Sequence, residues 1–251
     1  MPIVLKSRDE IAIMRESGRI LSEVLDLVVA RLRPGLIEKE LDETARNEFK
    51  KRGVIPTFLG YAQPPYPATI CLSINDAIVH GIPGKREISD GDIVSIDIGC
   101  TYKGFVADMA VTVGVGNVSP EAQRLIDVTK EALWCGIGAA RGGSRVGDIG
   151  HAIQTRVEAE GFSVVREYVG HGVGRQMHED PQIPNYGNPG TGTVLRPGMV
   201  IAIEPMVNIG DWRTKKDADK WTVRTADGSL SAHFEHTIAI TEGEAEVLTL
   251  P

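Results

Sequence analysis

Apolar residues recur every three or four positions in four segments of the chain, which is the spacing of helices that bury one face. The predicted helices cover residues 7–34, about 38–52, 119–142 and 144–161. Ser7 and Glu10 have the spacing of a capping box at the first helix, and Ser119 followed by Pro120 is a typical start for the third. A glycine at or near the end of each segment favours termination there.

Two segments between the helices alternate with the period of a strand. Residues 93–98 place branched apolar side chains on one face and Asp97 on the other. The next strand, about 105–113, carries Asp108 among small and β-branched side chains. A two-residue turn at Tyr102-Lys103 would place Asp97 directly opposite Asp108 across a hairpin. Two ionised acids in that position would repel each other unless a cation lay between them.

The order of helices and strands occurs twice along the chain. Gly53 and Gly161 end the second and fourth predicted helices at an offset of 108 positions, and residues 91–97 resemble 198–204 at an offset of 107. Chance is the alternative explanation, because helix–glycine–helix–strand orders are common. A carboxylate at the matching point of both strand pairs favours duplication. We therefore predict a single domain made of two pseudo-symmetric halves, about residues 7–114 and 119–248.

Charge and cysteine content restrict the classes of protein that fit. The 27 basic and 34 acidic residues give a net charge of −7, so a fold-wide attraction to nucleic acid or anionic lipid is not expected. Three cysteines without paired spacing suit a reducing cytosol better than a disulfide framework. The first residues contain no apolar signal segment, and no run approaches 18 apolar residues. We expect a cytoplasmic protein without membrane contact or direct nucleic-acid recognition.

Acidic residues on the predicted strands are the main candidates for chemistry: Asp97, Asp108, Glu204 and Glu235. One acid on a strand is usually solvated or salt-bridged, but two pairs at repeated positions, without Lys or Arg in these strands, favour a metal site. His171, between glycines in residues 168–174, would add a nitrogen ligand. A phosphate loop is the alternative for that segment, but the segment lacks the Walker Lys-Ser/Thr and the dinucleotide spacing.

The proposed ligand set is rich in oxygen, which disfavours a structural zinc site. It suits two divalent ions that share bridging carboxylates, and Co²⁺, Mn²⁺, Fe²⁺ and Zn²⁺ are all compatible with it. Two ions about 3.5–4 Å apart generate a nucleophile from water at neutral pH and stabilise a tetrahedral oxyanion. The candidate chemistry is therefore hydrolysis.

The sequence resembles a known family, the pita-bread metallopeptidases and, among them, the type I methionine aminopeptidases. The order of the four acids and His171 carries the resemblance, together with residues 71–83, 92–99, 170–175, 177–181 and 198–205. The similarity covers about residues 5–248. It implies an α/β fold of the α+β type, in which a duplicated half contributes to a curved antiparallel sheet backed by two pairs of helices.

The resemblance also implies a role for each ligand. Asp97 would chelate one ion, Asp108 and Glu235 would bridge both, and His171 and Glu204 would hold the other. Glu204 would also shuttle the proton of the bridging water. The free α-amine of the substrate would displace water from a metal, which explains a requirement for an unblocked N-terminus.

Two further histidines, His80 and His178, gain a role only through the resemblance, since either one read alone could be structural. His178 would donate to the scissile carbonyl oxygen, and His80 would contact the scissile amide nitrogen or the residue after Met. The pocket for the methionine side chain would be lined by Cys71, Tyr66, Met177 and Trp221.

Two departures from the family pattern and one additional family site lead to further expectations. Family members usually have an aromatic residue where Met177 stands, so selectivity for methionine could be looser. Residues 60–67 are longer than the usual turn, which leaves Tyr61 and Tyr66 as alternatives for the pocket. The family has a monovalent-cation site, which would lie near Asn75 and Ser231.

The predicted activity is removal of the initiator methionine from nascent proteins and peptides, with a preference for a small second residue. Cleavage of Xaa-Pro bonds is an alternative, although the proline-specific relatives normally carry an extra N-terminal domain. A non-catalytic binding protein on the same fold is another, although such proteins tend to lose ligands. The type II subgroup is disfavoured because only 30 residues separate Glu204 from Glu235. We expect a monomer, and transient ribosome association is left open.

Overall fold

The computed structural model describes residues 2–251, and this range contains four helices and fifteen strands. The helices are α1 (Arg8–Val29), α2 (Glu38–Arg52), α3 (Pro120–Ala139) and α4 (Val146–Glu158). The strands of the first half are β1 (Ile55–Pro56), β2 (Ile70–Ile74), β3 (Ala77–Val79), β4 (Ile93–Tyr102) and β5 (Phe105–Gly114). The remaining strands are β6 (Ser163–Val164), β7 (Gly170–Gly172), β8 (Glu179–Ile183), β9 (Val200–Ile203), β10 (Met206–Asn208), β11 (Thr214–Lys216), β12 (Val223–Thr225), β13 (Ser231–His233), β14 (Glu235–Ala239) and β15 (Glu246–Val247).

The predicted helix starts are confirmed for α1 and α3. The Ser7 hydroxyl accepts a hydrogen bond from Glu10 N, and the Glu10 carboxylate accepts one from Ser7 N at 2.9 Å, which completes the capping box. Ser119 caps α3 by accepting from Ala122 N at 3.1 Å. α2 ends at Gly53, whose left-handed backbone (φ 66°) forms the expected C-cap.

Two helix ends are shorter than the sequence pattern predicts. α1 stops at Val29 rather than near residue 34, and α3 stops at Ala139 rather than near residue 142. The residues directly after each helix form a tight local turn, as where Arg31 N donates to the Val28 carbonyl at 3.1 Å, and the glycines beyond the turn pair with other loops. Gly35 N donates to the Ile88 carbonyl at 2.8 Å, and Gly143 N donates to the Leu195 carbonyl at 2.9 Å. The apolar spacing alone could not reveal these tertiary hydrogen bonds.

The predicted start of α4 at Ser144 is also wrong. The Ser144 hydroxyl accepts from Arg141 N at 2.9 Å and so closes the turn after α3. Arg145 is the N-cap residue, and the first turn is closed by Asp148, whose carboxylate accepts from Arg145 N at 2.7 Å. The helix ends at Glu158, three residues before Gly161.

A nine-stranded sheet forms the centre of the fold. Its main path has the order β1-β4-β5-β14-β9-β7-β8, with β2 paired to β4 and β15 paired to β14, and every pair is antiparallel. Two three-stranded sheets, β13-β10-β6 and β11-β12-β3, flank it.

One face of the large sheet carries the two largest hydrophobic cores. α1 and α2 pack on the branched side chains of β2 and β4, such as Ile96 and Ile98. α3 and α4 pack on those of β9 and β14, such as Ile201 and Ile238. Because side chains alternate along a strand, the residues between these apolar positions point to the opposite face. That face holds Asp97.

The register of the β4–β5 hairpin differs from the predicted one by two residues. The turn is Lys103-Gly104 rather than Tyr102-Lys103, and both central residues have positive φ angles (48° and 79°). Two-residue hairpin turns require such angles, and glycine adopts them without strain. Asp97 therefore pairs with Ala110 rather than with Asp108, and the two acids are diagonal neighbours on one face.

Two threonine hydroxyls hold the seam where β5 meets the segment that leads into β14. The Thr237 hydroxyl accepts from Asp108 N at 3.0 Å and donates to the Asp108 carbonyl at 2.8 Å. Thr112 makes the same pair of bonds to the backbone of His233, both at 2.8 Å. Each side chain thus replaces a backbone partner between the strands of the two halves.

The two halves repeat several backbone contacts, which supports the proposal that this one domain consists of two related units. Gly91 N donates to the Val115 carbonyl at 2.8 Å, and the equivalent Gly198 N donates to the Ile240 carbonyl at 3.0 Å. The observed helices, strands and antiparallel pairing confirm the predicted α+β class. None of the helices within residues 2–251 combines the length and apolar character that crossing a bilayer requires.

We predict that Thr237→Val destabilises the fold, because the substitution keeps the side-chain shape but leaves the buried N–H and C=O groups of Asp108 without partners. The free energy of unfolding should fall by about 1–3 kcal/mol for each unsatisfied group. Urea unfolding would measure the loss, with Thr155→Val on the exposed face of α4 as the matched control. Equal stability of the two variants would show that the seam hydrogen bonds are dispensable.

Candidate metal centre

The register of the central strands brings acids together on the face opposite the two large cores. Asp97 of β4 and Glu235 of β14 both pair with Ala110 of β5, so they flank it from opposite sides. Asp108 lies two residues before Ala110 on the same strand and pairs with Gly99. Small residues at positions 99 and 110 leave space above the sheet for the three carboxylates.

His171 and Glu204 complete the cluster from the neighbouring strands. Glu204 directly follows β9, and His171 is the central residue of β7. His171 Nε2 lies 3.4 Å from Glu204 Oε1 and 3.8 Å from Asp108 Oδ2. His171 Nδ1 lies 3.0 Å from the Gly172 carbonyl, and donation there leaves the Nε2 lone pair directed at the acids. The structure therefore brings all five predicted ligands to one place.

Exclusion of water raises the pKa values of the four carboxyl groups. Burial raises the pKa of Asp97 to about 7, although the facing Cys71 thiol lowers it in part. The pKa values of Asp108, Glu204 and Glu235 rise well above their ordinary range, with burial as the first cause and repulsion among the acids as the second. Burial also lowers the pKa of His171 to about 3, which keeps the ring neutral at pH 7.

The cluster has the properties of a divalent-metal site. Among residues 2–251, no lysine or arginine forms an ion pair with these four acids. Buried oxygens of Asp97, Asp108 and Glu235 have no hydrogen-bond partner in the same range. Ligand atoms of Asp108, His171 and Glu235 lie within 4.8 Å of one another. The residues fit a divalent cation, which would satisfy the orphaned oxygens and reverse the repulsion between the charges.

A sixth residue near the acids, His233, was missed by the sequence analysis. Its ligand atom lies within 4.8 Å of those of Glu204 and Glu235, and its Nε2 is 3.7 Å from Glu235 Oε2. Burial lowers its pKa to about 3, with the neighbouring His80 as the second cause. The only signal in the sequence was its position two residues before Glu235, where strand alternation would give both side chains the same direction.

A cavity of about 150 Å³ opens beside the acids. All eleven residues that the sequence analysis selected line it: Tyr66, Cys71, His80, Asp97, Asp108, His171, Met177, His178, Glu204, Trp221 and Glu235. Five more residues line it: Tyr61, which the sequence analysis left as an alternative to Tyr66, and Phe58, Val79, Tyr168 and Val169, which it did not select. All five are aromatic or apolar residues from loops or a strand end, whose position in a cavity depends on tertiary packing.

Aromatic and sulfur-containing side chains form the apolar side of the cavity. Tyr66 and Trp221 meet edge to face with ring centroids 5.0 Å apart, and Tyr66 Oη donates to the Gly81 carbonyl at 2.7 Å. Cys71 and Met177 are buried in the same cluster. Tyr66 is thus anchored by its hydroxyl, with its ring facing the cavity.

Tyr61 contacts the cavity in a different way from Tyr66. Its Oη lies 2.6 Å from His178 Nδ1 at the open side. The ring of His178 lies over that of His171, with centroids 4.2 Å apart. Both tyrosines therefore line the cavity, and only Tyr61 reaches a candidate catalytic histidine.

The backbone of His80 is held in an unusual conformation. It follows β3 with a φ of 60°, in the left-handed region that non-glycine residues rarely adopt. Its ring contacts those of Tyr168 and Trp221, with centroids 5.7 Å and 6.2 Å apart. Burial lowers the pKa of His80 to about 4, so the ring is neutral at pH 7. Strain at this position is consistent with a ring that must point into the cavity.

Asn75 and Ser231, the two residues expected near a monovalent-cation site, are in contact. Ser231 N donates to the Asn75 carbonyl at 2.9 Å. The Asn75 side chain is fully used, because its oxygen accepts from Ile93 N at 3.0 Å and its nitrogen donates to Asp92 at 2.8 Å. A cation here would bind backbone carbonyl oxygens or the Ser231 hydroxyl oxygen.

Known proteins are similar to this chain in sequence. The profile of metallopeptidase family M24 matches residues 12–242. The chain is 51% identical over 248 residues to a methionine aminopeptidase of Clostridium perfringens, covering 99% of each chain. It is 53% identical over 247 residues to methionine aminopeptidase 1 of Bacillus subtilis, covering 98% of this chain and 99% of that one.

The similarity extends to three-dimensional structure. The crystal structure of a methionine aminopeptidase from Thermotoga maritima superposes with a TM-score of 0.97 at 47% identity and covers 100% of both chains. This match confirms the predicted pita-bread fold class.

We predict that Asp97→Asn stabilises the metal-free protein at pH 7.5 but not near pH 4. The folded state binds the Asp97 proton more tightly than the unfolded chain does, since the pKa rises from 3.8 to about 7. Ionisation of Asp97 therefore lowers the free energy of unfolding as the pH rises from about 4 to 7, by at most roughly 4 kcal/mol. Asparagine has no proton to lose and avoids this cost.

Urea unfolding of both proteins in a chelator, at several pH values, measures this difference. The exposed Asp26→Asn on α1 is the control. A stability difference that does not change with pH would contradict a raised pKa at Asp97.

Proposed function

Since this chain belongs to metallopeptidase family M24 and, within that family, to the methionine aminopeptidases, we propose that it removes the initiator methionine from nascent proteins and peptides whose second residue is small. The observation that carries this proposal is the position of the acidic cluster at one side of an apolar cavity lined by Cys71, Tyr66 and Trp221. The acidic cluster supports hydrolytic chemistry, and the cavity has the apolar lining needed to bind a long unbranched side chain.

Membership of a metallopeptidase family implies the use of a divalent metal, and we propose two ions. Asp97 would hold one, Asp108 and Glu235 would contact both, and His171 with Glu204 would hold the second. The orphaned oxygens of three of these carboxylates support the assignment. The mixture of oxygen and imidazole ligands is compatible with Co²⁺, Mn²⁺, Fe²⁺ or Zn²⁺. When bound, such ions lower the pKa of a water molecule and stabilise negative charge on a carbonyl oxygen.

Glu204 is the proposed proton carrier. Its carboxylate would accept a proton from the attacking water and pass it to the leaving amine nitrogen. Burial and the charge of Asp97 raise the pKa of Glu204, which supports a group able to hold a proton between the two steps. His171 Nε2, 3.4 Å from Glu204 Oε1, would bind the same ion as this carboxylate.

His178 and His80 are the proposed contacts to the scissile peptide. If the Tyr61 hydroxyl donates to His178 Nδ1, the proton of the ring is on Nε2, where it can stabilise the developing oxyanion of the substrate. His80 would contact the scissile amide nitrogen or the second residue. The His80 ring is neutral and buried against Trp221 and Tyr168, which supports a contact to the substrate in a narrow space with little water.

The apolar side of the cavity would bind the methionine side chain. Tyr66 and Trp221 present aromatic surfaces, and a thioether makes favourable contacts with ring edges. Met177, at the same wall, is flexible and would tolerate small differences in the shape of the side chain. We propose that the substrates are free N-terminal Met peptides and nascent chains, and that the protein acts in the cytoplasm as a monomer.

Replacement of Glu204 by glutamine should lower kcat for release of Met from Met-Ala-Ser by about 10²–10⁴-fold, because the proton carrier is lost. Circular dichroism should show an unchanged fold. Exposed Glu242→Gln is the matched control and should retain full activity. An Ala-Pro peptide is measured in parallel, and cleavage of it in preference to Met-Ala-Ser would favour the proline-specific alternative. Near-normal turnover by a folded Glu204 variant would contradict the proposed role of Glu204 as proton carrier.

Replacement of His178 by alanine should reduce kcat by about 10²–10³-fold with a smaller effect on KM, since a donor to the transition state is lost. Tyr61→Phe, which removes only the hydroxyl group that contacts His178, should give a weaker loss of kcat. Steady-state kinetics with Met-Ala-Ser measures both, and exposed His151→Ala on α4 is the control. A change confined to KM would contradict a contact made only in the transition state, because it would indicate that His178 binds the ground state and the transition state equally.

A further inference from the structure

His233 is a buried imidazole whose two nitrogens have no hydrogen-bond partner among residues 2–251. Its exposed fraction is 1%. Leaving a buried polar atom without a partner costs about 1–3 kcal/mol, so such atoms in folded proteins normally have a ligand, an ion or an ordered water. Neither nitrogen of His233 is explained by the five ligands of the proposed centre.

The surroundings of the ring point to a cation rather than to another protein group. His233 Nε2 lies 3.7 Å from Glu235 Oε2, beyond hydrogen-bond distance, and the ligand atoms of His233, Glu204 and Glu235 all lie within 4.8 Å of one another. Two carboxylates and one imidazole at such distances can converge on a single divalent ion. The second cluster of this kind, with Asp108, His171 and Glu235, shares only Glu235 with it.

The backbone of His233 is fixed tightly enough to aim the ring. Thr112 bonds to both its N–H and its carbonyl at 2.8 Å, and His233 pairs with Met206 of β10. Ser95 in turn contacts the Thr112 hydroxyl at 2.8 Å. A ring on such a rigid support can serve as a ligand without a large loss of conformational entropy.

We propose that His233 is a further nitrogen ligand of the metal centre and binds the ion held by Glu204 and Glu235. This inference rests on the proposed function, because it requires that the acids bind a divalent ion. Both imidazoles, His171 and His233, then come from the second half of the molecule, whereas each half supplies two of the four carboxylates. The second imidazole makes the centre more favourable for Zn²⁺ and Co²⁺ relative to Mn²⁺, which prefers oxygen ligands.

Metal binding by the folded protein tests the proposal without reference to activity. The metal-free wild type, His233→Gln and the control His151→Gln are titrated separately with Zn²⁺ and with Mn²⁺ in a calorimeter. Loss of a group that merely supports a ligand costs about 10–100-fold in metal affinity. Loss of His233 as a direct ligand should therefore weaken Zn²⁺ binding by at least about 10-fold and Mn²⁺ binding by a smaller factor. His151→Gln should bind both ions like the wild type.

A crystal structure of the Zn²⁺-loaded wild type decides the question even if His233→Gln does not fold. We expect a His233 nitrogen at about 2.0–2.1 Å from an ion. A water molecule between the ring and the ion, or a ring bonded only to Glu235, would overturn the proposal. So would equal losses of Zn²⁺ and Mn²⁺ affinity in a folded variant. A wild type that binds no divalent ion would overturn the proposed function as well, whereas binding by the wild type without a role for His233 would leave that function intact.

Discussion

Repulsion among four carboxylates that share one poorly hydrated space is the constraint on which the rest of this structure depends. Each of these groups would be more stable in water, and their raised pKa values measure that preference. A flexible loop would relieve the repulsion by moving the side chains apart. Here Asp97, Asp108 and Glu235 lie on three adjacent strands, whose spacing is set by backbone hydrogen bonds. The sheet therefore keeps the negative charge concentrated until a cation neutralises it.

One face of the sheet contributes to the stability of the fold, and the other carries the groups of the metal centre. The helix-covered face holds two large apolar cores, which supply the burial that can offset an unfavourable cluster elsewhere. The opposite face carries small residues, glycines and the acids. Alternation along each strand allows both demands to be met within a few residues, as in β4, where Ile96 and Ile98 belong to a core and Asp97 belongs to the centre.

The seam between the halves links this division to the geometry of the centre. Thr237 holds the backbone of Asp108, and Thr112 holds the backbone of His233, so each half fixes a candidate site residue of the other. Ligands from different halves can then keep fixed positions although they are far apart in sequence. A duplicated fold with a site at its seam is a physically direct way to build a cage of several like charges.

The amino-acid sequence by itself determined much of this protein. Helical spacing, caps and strand alternation predicted four helices and the strands that carry the acids, because these signals are local. Repetition of acids at matching strand positions pointed to four ligands, the glycine-flanked His171 suggested the fifth, and the resemblance pointed to the apolar pocket. The sequence could not determine where α1 and α3 end, since tertiary hydrogen bonds of Gly35 and Gly143 compete with helix continuation.

Only the tertiary structure decided the remaining features of the site. The hairpin register depends on the positive φ angles that Lys103 and Gly104 adopt, and a shift of two residues preserves the face of each acid, so the alternation pattern does not reveal it. The positions of Tyr61 and His233 depend on how a loop and a short strand pack against the acids. Local patterns specify which face a side chain occupies, but packing between distant segments specifies which groups it meets.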